Sequence, residues 1–154
     1  MSTAIGIEKL ISIDSEILMR AINPGFRLSV SVIFTSINRT LIALEKASQL
    51  AEPLKSGIEI LAVQTVPFAL PLDEPPVPFG FVVRRLREMV AQFAVQIKIS
   101  AYLCRDQLEA LKRVLNRDYP VVMGVRKRWW PTRNKRLARK LRRAGYDVIL
   151  IETE

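Results

Sequence analysis

The chain has 154 residues, 49% of them hydrophobic, with 9 Pro, 6 Gly and one Cys, a composition that describes one globular domain with enough apolar side chains for a core. With no His and only Cys104, it excludes a Ser-His or Cys-His catalytic pair, a His or multi-Cys metal site and an intramolecular disulfide. The formal charge is +9, yet residues 126–143 hold ten basic residues and no acidic one, and without them 14 basic residues stand against 15 acidic ones, so the excess is one patch on a near-neutral body.

Residues 1–25 carry Ile7, Leu10, Ile11, Leu18 and Ile22 at helical spacing and close on Asn23-Pro24-Gly25, which predicts an N-terminal helical extension. Residues 26–154 form the main domain. Within it, residues 28–35, LSVSVIFT, alternate and then run apolar with β-branched side chains, as a buried strand does. A helix follows, with Asn38 or Thr40 as its cap, Leu41, Leu44, Ala47, Leu50 and Ala51 on its apolar stripe and Gly57 as its stop. Residues 58–66 give a second strand. Five prolines in the next fourteen residues, PFALPLDEPPVPFG, exclude regular helix there and predict a surface loop across one sheet edge.

Helical spacing returns at Phe81, Leu86, Met89, Val90 and Phe93, and residues 95–103 alternate as a third strand. Asp106 caps the helix QLEALKRVLN, and residues 119–125, YPVVMGV, give the fourth strand. After the basic run RKRWWPTRNK, the segment RLARKLRRAG places Leu137, Leu141 and Ala144 on one stripe, and residues 146–152 close the domain as a fifth strand. Strict β-α alternation with strands apolar on both faces predicts a three-layer α/β/α fold around a parallel sheet. No stretch approaches 18 uninterrupted apolar residues, and the N-terminus lacks the pattern of a secretory signal, so the expected protein is soluble, unprocessed and cytoplasmic. The lone cysteine fits a reducing compartment.

In this element order, three segments resemble the universal stress protein domain family: VIFTSINRTLIALEKASQLAEPL its first strand and helix, YPVVMGV its fourth strand, and LARKLRRAGYDVILI its closing helix and strand. The resemblance runs from about residue 28 to the end. It implies a five-stranded parallel sheet in the order 3-2-1-4-5, with a ligand beyond the carboxyl ends of strands one and four, where Thr35, Ser36 and Gly124 fall. ATP-binding relatives resemble one another in an Asp ending strand one and in Gly-x2-Gly-x9-Gly-[Ser/Thr] after strand four. Here Thr35 replaces the Asp, Gly124 is kept, Lys127 stands at the second Gly, the loop is three residues shorter, and Asn134-Lys135 replace Gly-Ser. Side chains at these positions crowd a backbone phosphate cradle, and Thr35 is a poorer acceptor than a carboxylate.

The leading expectation is therefore a stress-response module without a cofactor that acts through dimerisation and protein contacts, and not an enzyme. The resemblance implies homodimer pairing through the closing edge strand, at Val148, Ile149, Leu150 and Ile151, unless the N-terminal segment covers that edge. The alternative is binding of ATP, another adenine nucleotide or polyphosphate, with Arg126, Lys127, Arg128 and Lys135 supplying side-chain charge in place of glycine backbone. A third option has the basic segment 126–143 meeting nucleic acid or an anionic membrane, since Trp129 and Trp130 lie among its cations. Against it, the Trp pair is expected to cover the sheet edge beside Pro131 and the cations to form a solvated helix face. Cys104 is expected in the core and Asp106 as a cap, so no catalytic residue is assigned.

Overall fold

A computed structural model describes residues 9–11, 27–69 and 79–153. Its first strand, β1 (Lys9–Ile11), precedes β2 (Leu28–Ile33), α1 (Ile37–Ala51), β3 (Gly57–Thr65), α2 (Phe79–Val90) and β4 (Ile97–Cys104). The remainder is α3 (Gln107–Val114), β5 (Val121–Arg126), α4 (Arg133–Arg143) and β6 (Val148–Thr153). The sheet order is β1-β4-β3-β2-β5-β6. β2 to β6 are mutually parallel and, counted among themselves, lie in the expected order 3-2-1-4-5.

Alternation within each strand divides the core into two layers. On one face Val32, Ile60, Ile99 and Val122 pack with Ala43, Leu44, Ala47 and Leu86 of α1 and α2. On the other, Ile33, Leu61, Val121, Met123 and Val125 pack with Leu111, Leu137 and Leu141 of α3 and α4. Burial on both sides explains the near-continuous apolar runs, and each fully buried Ile or Leu contributes about 1.5–3 kcal/mol relative to exposure. No helix among the described residues is long and apolar enough to cross a membrane.

Several local expectations are corrected. The cap of α1 is Ser36, whose backbone is extended and whose hydroxyl accepts from Arg39 N at 3.4 Å, instead of Asn38 or Thr40. Thr40 is buried inside the helix, where its hydroxyl accepts from Thr35 N at 3.2 Å. Gly57 does not stop α1. A 3-10 turn at Glu52–Leu54 ends on Lys55 with φ 49, so a lysine occupies the left-handed position and Gly57 begins β3. α2 starts at Phe79, and Phe81 is exposed while Leu86, Met89 and Val90 are buried; a five-residue step from 81 to 86 places the two on different faces.

The helix expected within residues 1–25 lies outside the described residues except at Lys9–Ile11, and those three pair as an antiparallel strand with Leu103, Tyr102 and Ala101 of β4. Pairing satisfies backbone groups that an edge strand otherwise leaves open. Among the described residues, β1 thus covers part of the β4 edge, and no described segment covers β6. Most of the proline-rich loop expected across a sheet edge lies outside the described residues.

Candidate functional site

β2 ends at Ile33, two residues before the strand expected from the sequence, and this frees Phe34 and Thr35 to form the floor of a cleft. Thr35 N–H donates to Thr40 Oγ1, and its hydroxyl donates to the Gly124 carbonyl at 2.9 Å. The side chain therefore ties the end of β2 to β5 across the point where the strand order reverses, and keeps lone pairs able to accept. Around it lie Ala62, Val63, Gln64 and Thr65 of β3, Gln107 at the start of α3, and Arg133 and Asn134 at the start of α4, enclosing about 400 Å³.

Pairing of Thr65 with Cys104 brings the end of β4, and so the start of α3, to the same edge. Asp106 caps α3 as expected, its carboxylate accepting from Glu109 N at 3.1 Å. α4 is capped by Thr132, whose hydroxyl accepts from Lys135 N at 3.3 Å; this fixes the first turn, which presents Arg133 and Asn134. A second depression of about 380 Å³ shares Thr65, Gln107 and Arg133 with the cleft and adds Arg136 and Lys140. Arg133, Arg136 and Lys140 are exposed and pair with no carboxylate among the described residues. These three cations outnumber the one carboxylate in the lining of that depression, Asp106, and their charge is available to a ligand.

The residues expected at the ligand edge are divided among different tasks. Thr35 and Asn134 meet in the cleft. Ser36 caps α1, and Gly124 admits the backbone of α1, since a β-carbon there would stand 2.3 Å from Arg39 O. Lys135 turns away: its ammonium donates to Arg128 O at 2.9 Å and lies 3.4 Å from a carboxylate oxygen of Glu152. Arg126, Lys127 and Arg128 line a separate groove of about 630 Å³ with Trp129, Trp130 and Glu152, and Lys127 N–H donates to Thr153 O at 2.6 Å.

Val148 is buried, while Ile149, Leu150 and Ile151 are half-buried along β6, which pairs with β5 on one side. Cys104 is fully buried, and burial pushes its thiol up to about 11, with Asp106 adding to the rise and a hydrogen bond with Thr65 opposing it. It remains a neutral thiol at neutral pH. Among the described residues, no cluster of three or more Cys, Asp or Glu side chains is placed to hold a metal.

Sequence reasoning missed Arg133, Gln64, Thr65 and Gln107. The signal for Arg133 was present in Pro131-Thr132, a capping residue immediately before the basic helix. No protein-family model matches the chain, and no curated protein matches it.

Proposed function

We propose that the chain is a non-catalytic ligand-binding module of the universal stress protein type, and that it takes a small anionic ligand through side chains instead of a glycine-rich loop. The observation that carries this reading is the cleft that bridges the reversal of strand order, with Thr35 following β2 and Arg133 and Asn134 opening the helix after β5. Open parallel sheets bind ligands at this place, and the volume is that of a small-molecule site. An adenine nucleotide or related phosphate fits the donor set: the Arg133 guanidinium matches a phosphate bidentately, and Asn134, Gln107 and Thr65 offer both donors and acceptors to polar rings and sugars.

Calorimetry with ATP, AMP and inorganic triphosphate tests the reading. Saturable binding that Arg133→Gln weakens at least tenfold is the expected outcome, since a charged hydrogen bond contributes about 1.5–3 kcal/mol. Absence of binding, or binding indifferent to Arg133, overturns it.

A second reading, compatible with the first, is a homodimer paired through β6. It is supported by the half-buried Ile149, Leu150 and Ile151 on a strand with a described neighbour on one side only. Light scattering at micromolar concentration decides: a dimer mass is expected and a monomer mass overturns the pairing.

A further inference from the structure

The Trp pair does not cover the sheet edge. Trp129 is 91% exposed and Trp130 43%, although indoles are mostly buried bodies with one polar tip. The two rings meet edge to face, with centroids 5.2 Å apart and planes at 82°. The Arg128 guanidinium stands 5.0 Å from the Trp130 ring centroid, a cation-π contact that holds this ring against the loop. Trp129 is left projecting with most of its ring in solvent. The groove beside it is lined by Arg126, Lys127 and Arg128, and its one acid, Glu152, is already met by Lys135 at 3.4 Å.

We propose that this groove binds single-stranded nucleic acid, with an unpaired base stacked on Trp129 and the phosphate chain against Arg126, Lys127 and Arg128. A concave cationic surface that carries an open aromatic face is the combination that recognises single strands, because phosphates supply charge and every unpaired base supplies a ring face. A duplex does not satisfy it, since the faces of its bases are already stacked. A membrane surface fits less well: the indoles are flanked by Arg128 on one side and by Pro131 and Thr132 on the other, so no continuous apolar wedge surrounds them. The site is separate from the cleft, and neither indole lines that cleft.

The test is fluorescence anisotropy of the full chain with a labelled oligo(dT) of about fifteen nucleotides, a length within the range that single-strand sites span, with indole emission recorded in parallel. A matched duplex and vesicles of phosphatidylserine and phosphatidylcholine are the comparison probes. Expected are saturable binding of the single strand, quenching of indole emission, and a loss of at least about fivefold in Trp129→Ala, with Trp129→Phe recovering most of it. The double variant Arg126→Gln/Lys127→Gln should lower the slope of log affinity against log salt by about 1.4. Equal affinity of Trp129→Ala and wild type, equal affinity for duplex and single strand, or binding to vesicles but not to the oligonucleotide overturns the proposal. Trp129 is so exposed that its replacement leaves the fold intact, which keeps the comparison clean.

Discussion

Gly124 in β5 and Arg39 in α1 approach so closely that a β-carbon at position 124 would lie 2.3 Å from the Arg39 carbonyl oxygen and 2.7 Å from its carbonyl carbon. Both obstructing atoms belong to backbone, so the helix must shift as a body to relieve the contact. Gly124→Ala is expected to destabilise the fold by about 3 kcal/mol, the upper end for overpacking, measured by urea denaturation. A stability equal to wild type would show that α1 can slide on the sheet.

Thr35 lines the cleft, and its hydroxyl closes β2 onto β5 by donating to the Gly124 carbonyl. Thr35→Val keeps the shape and removes the donor. It should cost about 1 kcal/mol, and more if the Gly124 carbonyl then goes without a partner. Denaturation reports the stability, and calorimetry with ATP on the same variant reports whether the hydroxyl also serves a ligand.

The Thr132 cap links stability to the cleft, because the turn it holds carries Arg133 and Asn134. Thr132→Ala should cost about 1 kcal/mol and also weaken nucleotide binding, whereas Thr132→Ser restores both. Arg133→Gln, at an exposed position, should change stability by less than about 0.5 kcal/mol while reducing affinity, so that the two variants separate scaffold from contact.

Cys104 sets a one-sided dependence on pH. Its folded thiol titrates near 11 against an ordinary value of 9.0, so the folded state holds the proton more tightly than the unfolded chain. The contribution is present in full below pH 9 and declines as pH rises toward 11, by roughly 2–3 kcal/mol. Stability curves of wild type and Cys104→Ala should therefore converge as the solution becomes alkaline. The thiol should also resist iodoacetamide at neutral pH until denaturant is added.

The order of elements was legible because strands covered on both faces leave runs such as Val121, Val122 and Met123, and because the helices between them carry stripes such as Leu137 and Leu141. Boundaries were less so. Ser36, Asn38 and Thr40 can all cap a helix, and only the extended backbone at Ser36 selects one of them. Lys55 in a left-handed turn gives no compositional sign, since glycine is the usual occupant. Of the cleft, Thr35 and Asn134 could be placed in advance through the ends of β2 and the last loop. Gln64, Thr65 and Gln107 could not, because common polar residues more than forty positions apart become neighbours only through the pairing of β3 with β4. The exposure of Trp129 was hidden for a related reason: burial of an indole depends on what packs against it, which the local run RKRWWP does not contain.

β1 lies antiparallel on β4 at one margin of the sheet, while β6 has β5 as its one described neighbour at the other. A sheet with both margins open can recruit copies at each end and grow without limit. β1 pairs with only three of the eight residues of β4 and is itself the margin strand there, so that margin offers a short ladder, whereas β6 presents six consecutive residues. Strand addition by a second copy would find more backbone to pair at β6 than at β1, and a filament, which needs both margins, would be limited by the shorter one.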